Sequence, residues 1–150
     1  MSDNYLRLIP ADPEFQPLPG ALDDAMQLLN QLVPLAAERR VRQGDEVQFV
    51  DQGENFERVL CPHCGNDLTD QWLPWMETSS QSRFVVRTIV LPCCSRHADL
   101  NDLEYKWPAG FAKAILELEN PDPAEFLDSE ALKNLERLLR CKIRQVLAHY

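Results

Sequence analysis

Two close-spaced sets of cysteines constrain this chain more than any other feature. Cys61 and Cys64 lie in the sequence Cys-Pro-His-Cys-Gly, and Cys93 and Cys94 lie in Pro-Cys-Cys-Ser-Arg-His. Proline and glycine around a pair of cysteines separated by two residues favour a tight turn that aims both sulfurs at one point. A tetrahedral Zn²⁺ ion needs such a turn on each of two sides. The sequence therefore predicts a site for structural zinc.

Five residues compete for the four ligand positions: Cys61, Cys64, Cys93, Cys94 and His97. Cys61 and Cys64 are the expected first pair. The second pair is either Cys94 with His97, which repeats the gap of the first pair, or Cys93 with Cys94, which requires a kink between adjacent residues. A metal-free pair of buried thiols and a thioredoxin-like redox pair are the competing interpretations, but the redox pattern has no second cysteine cluster.

The metal is expected to be structural. A catalytic zinc keeps one position open for water and needs a general base nearby. The zinc deaminases combine His-x-Glu with Pro-Cys-x-x-Cys, and the sequence contains no His-x-Glu. It also lacks the glycine-rich phosphate loops and the nucleophile motifs of common enzymes. We therefore expect a protein that is not an enzyme.

Length and composition predict one domain spanning residues 1–150, with a zinc-knuckle substructure at about 58–98. The chain has 150 residues, of which 45% are hydrophobic, and no apolar run approaches a membrane span of ~20 residues. It begins without the basic and apolar regions of a signal peptide, so we expect a cytoplasmic protein with reduced thiols.

Hydrophobic periodicity predicts an α+β fold, with a small mixed or antiparallel sheet, two main helices and the two cysteine turns of the zinc site at strand ends. A turn is expected at Gln43-Gly44, after a polar segment over 38–40 that follows the first helix. Residues 111–119 fit both periods but favour a strand, and residues 141–150 fit a helix or a strand. The strand candidates are 5–9, 47–50, 58–60 and 84–91, and the helix candidates are 21–33, the region around 72–76, and 128–139.

An aromatic segment follows the second cysteine pair. Tyr105, Trp107 and Phe111 are residue types that anchor protein interfaces, and they are the candidate partner-binding residues. The competing interpretation is that these rings pack over the metal site and fill the core. Cys141 lies between leucines and isoleucine and is expected to be a small core residue.

The chain resembles a family of small, uncharacterised bacterial cytoplasmic proteins. The resemblance lies in Cys-Pro-x-Cys-Gly, the later Pro-Cys-Cys, the segments 100–103 and 107–111, Asn120-Pro121 and the ending Ala-His-Tyr. In that family a glycine commonly follows the paired cysteines, where this chain has Ser95. Histidine is not part of the pattern, so the resemblance favours Cys93 over His97 as a ligand. It implies no established activity.

The net charge of −9 repels polyanions and favours a basic protein partner. The leading hypothesis is a zinc-stabilised, acidic protein-interaction module, either an adaptor or similar in size and charge to the immunity proteins of bacterial toxin systems. The alternative is a nucleic-acid-associated, zinc-ribbon-like regulator. It would use the basic cluster formed by Arg137, Arg140, Lys142 and Arg144.

Overall fold

A computed structural model describes residues 2–150 and confirms the α+β class. Its centre is a four-stranded antiparallel sheet with strand order β2-β7-β1-β8. Two two-stranded ribbons, β3-β6 and β4-β5, lie outside that sheet. The elements are β1 (Asn4–Pro10), α1 (Pro19–Leu32), β2 (Glu38–Val50), β3 (Val59–Leu60), α2 (Thr69–Ser80), β4 (Thr88–Val90), β5 (His97–Asp99), a 3₁₀ turn (Leu100–Asp102), β6 (Glu104–Tyr105), β7 (Gly110–Glu119), α3 (Ser129–Leu139) and β8 (Ile143–His149).

The sheet and the helices α1 and α3 form one half of the molecule. Leu22, Ala25 and Leu29 are buried on α1, on the helix face that the sequence predicts. They pack in one cluster with Leu116 of β7 and Leu135 of α3. The strand β7 lies between β1 and β2, and its residues are buried on both faces of the sheet, which explains why residues 111–119 show no clean alternation.

The last part of the chain, which the sequence left open, is a strand. Asp128 caps α3 by accepting a hydrogen bond of 2.8 Å from the backbone N–H of Ala131. Arg140 ends the helix in the left-handed conformation, with φ of 59°. The strand β8 then pairs with β1 from Asn4 to Pro10. The conformation of this last segment is decided by its pairing with β1, which the hydrophobic periodicity of the segment does not indicate.

Two local predictions are wrong. The dipeptide Gln43-Gly44 lies inside the continuous strand β2, at an irregularity of its pairing with β7, and Glu38–Arg40 belongs to the same strand. Residues 84–91 are a strand only at Thr88–Val90. Phe84 has a positive φ of 61° and lies 5.3 Å from Phe111, ring centre to ring centre. The left-handed backbone at Arg83 and Phe84 interrupts the predicted strand.

The other half of the molecule contains both cysteine sets. It comprises the two ribbons and α2, and its core includes Cys61, Leu91, Leu100 and Phe111. Among residues 2–150, no helix combines the length and the apolar character needed to cross a membrane.

Asn101 joins the two halves. Its side chain, which is 2% exposed, accepts a hydrogen bond from the backbone N–H of Phe111 and donates one to the backbone carbonyl of Ala11. Arg144 of β8 donates to the backbone carbonyls of Asn101 and Ala109. The segment after the second cysteine set is therefore fixed to the sheet by these hydrogen bonds.

A buried carboxylate lies on the sheet face opposite α1 and α3. Glu117 accepts hydrogen bonds from Arg7 at 2.8 Å, Arg42 at 3.0 Å and Arg40 at 3.1 Å. Burial raises the pKa of Glu117, but the hydrogen bond and charge of Arg7 and the charge of Arg42 outweigh it, so the pKa lies below its ordinary value. The charged pair is thus favoured in the folded state.

We expect Glu117→Gln to lower the free energy of unfolding by about 3 kcal/mol at neutral pH, because it leaves buried Arg7 with the more distant Asp51, at 3.9 Å, as its charged partner. A carboxyl with a depressed pKa stabilises the fold above the unfolded value of about 4.3, and this stabilisation is lost as the pH falls through the folded pKa. The difference between variant and wild type should therefore shrink in acid. Urea unfolding across pH measures it. Glu104→Gln, at an exposed pair, is the control, and an equal cost for both would contradict the prediction.

Candidate metal centre

The first cysteine turn follows the strand β3 directly. The backbone N–H of Gly65 donates to the carbonyl of Cys61 at 3.0 Å, and the N–H of Cys61 donates to the carbonyl of Asn66 at 2.8 Å. Gly65 has φ of 77°, a conformation that glycine adopts without strain. The turn reverses the chain so that Leu60 bridges to Asp67. Cys61 and Cys64 thereby lie at the end of a short ribbon.

The second turn repeats this geometry thirty residues later. The N–H of Ser95 donates to the carbonyl of Leu91 at 2.8 Å, and the N–H of Leu91 donates to the carbonyl of Arg96 at 2.8 Å. Ser95 has φ of 60°, which corresponds to the conformation of Gly65. Val90 then pairs with His97, as Leu60 does with Asp67. Both turns therefore lie at strand ends, as predicted.

This repeat explains the unequal spacing of the two cysteine sets. Cys94 corresponds to Cys64, whereas the position of Cys61 is taken by Leu91 and that of His63 by Cys93. The shared proline and cysteine at this offset of 30 residues are the sequence signal that could have revealed the repeat. The second turn thus presents its two thiols from adjacent residues.

The two turns bring four sulfur atoms together. The Sγ atoms of Cys61, Cys64, Cys93 and Cys94 all lie within 4.8 Å of one another, and those of Cys61 and Cys94 are 3.9 Å apart. Zinc–sulfur bonds of about 2.3 Å in a tetrahedron place the sulfurs about 3.8 Å apart. The cluster therefore has the donor number, the donor type and nearly the spacing of a tetrahedral thiolate site.

The environments of the four thiols differ. Burial raises the pKa of Cys61, but hydrogen bonds from the backbone N–H groups of Cys64 and His63 and from neighbouring thiols outweigh it, and the pKa falls to about 6. Burial and the other three thiols raise the pKa of Cys93 to about 12. Without an ion, the neighbours of Cys61 thus stabilise its thiolate, whereas a cation would favour the thiolate form of all four cysteines.

His97 lies outside the cluster of potential ligands that the structure assembles. Three residues beyond Cys94 the chain has left the turn and entered β5, where the side chain of His97 is exposed. His63 is also exposed and outside the cluster, as expected. The geometry therefore favours Cys93, and not His97, beside Cys94. Cys141 packs at the edge of the sheet core, as the sequence predicts.

Two of the three candidate partner-binding residues are buried. Tyr105 is 7% exposed and Phe111 is fully buried, so neither ring can anchor a partner in this fold. Tyr105 donates to the carbonyl of Leu100 at 2.7 Å and accepts from the indole N–H of Trp72 at 3.1 Å. The competing interpretation, that these rings fill the core, is correct for this pair. Trp107 remains partly exposed.

No protein-family model, curated protein or solved structure matches this chain. The resemblance seen in the sequence stays a prediction.

The repeated turn makes a paired prediction about backbone strain. Ser95→Gly should raise the free energy of unfolding by about 0.5–1 kcal/mol, because glycine adopts a positive φ without the cost that a Cβ atom adds. Gly65→Ser should lower it by a similar amount, and a Cβ at that position meets no neighbouring atom. Chemical unfolding of the two variants measures the effects. Shifts of the same sign would contradict the equivalence of the turns.

Proposed function

We propose that the four cysteines bind one Zn²⁺ ion as thiolates and that this zinc is structural. The main observation in support is that two turns with the same hydrogen-bond pattern place four sulfur atoms within 4.8 Å of one another. Four sulfur ligands complete a tetrahedron and leave no open position for water. When bound, the ion supplies a fixed link between the two turns.

The position of the site supports a structural role. Cys61 is buried, and Cys93 and Cys94 pack against the same core as Leu91 and Phe111. The ribbons that end in the two turns contain only two or three residues per strand. Such short ribbons are marginal on their own. A metal link would hold them at the geometry that the core requires.

Zinc analysis of single variants tests this ligand set. We expect about one zinc per chain in the wild type and in His97→Ala, and a marked loss of zinc in Cys93→Ser. Retention of zinc in Cys93→Ser together with loss in His97→Ala would replace Cys93 by His97. Wild-type protein that is folded and free of metal would overturn the zinc proposal.

We further propose that the chain is a non-enzymatic protein-interaction module for a basic partner, either as an adaptor or in the manner of an immunity protein or antitoxin. The net charge of −9 supports a basic partner. The exposed part of Trp107 supports a protein surface, because tryptophan is enriched at interface anchors. A reducing compartment such as the cytoplasm suits the four free thiols.

The nucleic-acid alternative has weaker support. Arg137 and Arg140 are exposed around the end of α3, and Lys142 lines a shallow cavity with Arg137. Arg144, the fourth member of that cluster, instead donates three hydrogen bonds to Asn101 and Ala109. The basic surface is therefore smaller than the sequence suggests, on a molecule of strongly negative charge.

Affinity capture from a bacterial lysate, followed by a titration of the purified captured protein, distinguishes these two functions. We expect a basic protein whose affinity falls as salt is raised. A captured nucleic acid whose binding is lost on charge reversal at Arg137 and Arg140 would favour the alternative. Recovery of neither would overturn the interaction proposal.

A further inference from the structure

We propose that Trp107 and Phe126, together with Glu57, form the docking site for a lysine or arginine side chain of a basic protein segment. This inference rests on the proposed interaction function and names the surface that would carry it. We call these three residues the aromatic–acidic patch. None of the three belongs to the metal centre or to the ion pairs around Glu117.

The patch combines an exposed aromatic surface with a carboxylate. The rings of Trp107 and Phe126 lie 6.3 Å apart, centre to centre, at an angle of 31°. They are 38% and 40% exposed. The indole N–H of Trp107 donates to Glu57 at 3.3 Å, so a carboxylate lies at the edge of the ring. A cation above such a ring meets both the negative face of the π system and a charged oxygen.

The backbone holds the Trp107 ring in a fixed place. Trp107 has a positive φ of 55°, which is rare for a bulky residue, and it precedes Pro108. The side chain of Gln52, which is 2% exposed, donates to the carbonyl of Trp107 at 3.0 Å. A ring that is already positioned loses little conformational freedom when it binds a partner.

The three segments that supply the patch are rich in acidic residues. They are residues 51–58 with Glu57, residues 102–107 with Trp107, and residues 120–130 with Phe126. They contain nine acidic and two basic residues, and the rest of the chain has fifteen acidic and thirteen basic residues. The acidic residues of the three segments are Asp51, Glu54, Glu57, Asp102, Glu104, Asp122, Glu125, Asp128 and Glu130.

Much of this charge has no partner within the molecule. Among the residues that the structure describes, Glu57, Asp122 and Glu125 form no ion pair and are exposed. The surface is therefore complementary in charge to a basic segment. The exposed rings favour the organic cations of lysine and arginine over a simple inorganic ion, because these side chains also bury aliphatic or planar surface against the rings.

Titration of the full chain with a short peptide of alternating arginine and glycine tests the patch. The readout is the NMR signal of each indole N–H, assigned by its loss in Trp107→Phe and in matching variants of Trp72 and Trp75. We expect salt-sensitive binding that shifts the Trp107 signal and leaves those of Trp72 and Trp75 in place. The matched peptide of glutamate and glycine should not bind.

Three double variants separate the patch from general attraction. Trp107→Ala with Phe126→Ala keeps the net charge and should weaken peptide binding roughly tenfold. Glu57→Gln with Glu125→Gln should weaken it about fivefold at low salt, whereas Asp23→Asn with Asp24→Asn, on exposed positions of α1, should change it less than twofold.

The outcomes distinguish the patch from the broader function. Equal weakening by both charge variants with no effect of the aromatic variant, or no peptide binding at all, would overturn the patch. A basic protein captured from the lysate would still support the interaction function in that case. Loss of capture by the aromatic double variant, with the Trp72 and Trp75 signals unchanged, would support both.

Discussion

Cys61→Ser should release the metal and unfold the half of the molecule that contains the cysteines. Structural zinc contributes apparent binding free energies of about 10–16 kcal/mol, comparable to the total stability of a domain, about 5–15 kcal/mol. Cys61 is buried in the core that includes Leu91 and Leu100, so the serine hydroxyl would also lie among apolar groups. Zinc content and the dispersion of NMR signals from residues 59–105 measure the effect.

Cys141→Ser is the matched control. Cys141 is half-buried, burial raises its pKa to about 11, and it lies outside the cluster of four thiols. We expect full zinc content and a loss of stability of about 1 kcal/mol or less for this variant. If Cys61→Ser retained its zinc and its dispersed spectrum, the proposed metal link would be wrong.

Phe111→Ala should have the second-largest effect, a loss of about 3–5 kcal/mol in the free energy of unfolding. Phe111 is fully buried and lies on β7, yet it packs in the core of the cysteine half. Its ring contacts Phe49 at 5.2 Å and Phe84 at 5.3 Å between ring centres. The cavity would therefore lie between the two halves of the molecule. Urea unfolding followed by circular dichroism measures the loss.

Phe126→Ala makes the same chemical change on an exposed ring. We expect Phe126→Ala to lower the free energy of unfolding by about 1 kcal/mol. The ring of Phe126 already lies partly in water, so its removal gives up less buried apolar surface. Phe111→Leu, which keeps most of the volume, should cost less than Phe111→Ala. Similar losses for Phe111→Ala and Phe126→Ala would show that Phe111 does not join the two halves.

Local patterns predicted the elements whose conformation is decided by one buried face. The strand β1 and the helices α1 and α3 follow from their hydrophobic period, and Asp128 fixes the start of α3. The failures occur where distant contacts decide. Residues 84–87 have strand-forming side chains, but the backbone is left-handed at Phe84, and the ring of Phe84 packs against that of Phe111. Gly44 lies in β2 because the strand pairs with β7 on both sides of it, at Gln43 and at Gln48.

The cysteine cluster could be predicted because its spacing reflects local turn geometry. The choice between Cys93 and His97 could not, since it depends on where β5 begins and on Leu91 taking the position that Cys61 holds in the first turn. Nor could the sequence separate buried Tyr105 from exposed Trp107, which differ through the left-handed backbone at Trp107 and the hydrogen bond from Gln52. Phe126 lies beside Trp107 only in the folded chain, and no local pattern in the sequence indicates this contact.

The most direct test of the zinc proposal is an unfolding curve recorded before and after a chelator removes the metal under reducing conditions. We expect the purified chain to contain one zinc, and its removal to abolish the cooperative transition of the cysteine half, with recovery when zinc is restored. Identical curves for the metal-free and the zinc-loaded protein would contradict the proposal that a metal link between Cys61, Cys64, Cys93 and Cys94 holds this half of the molecule together.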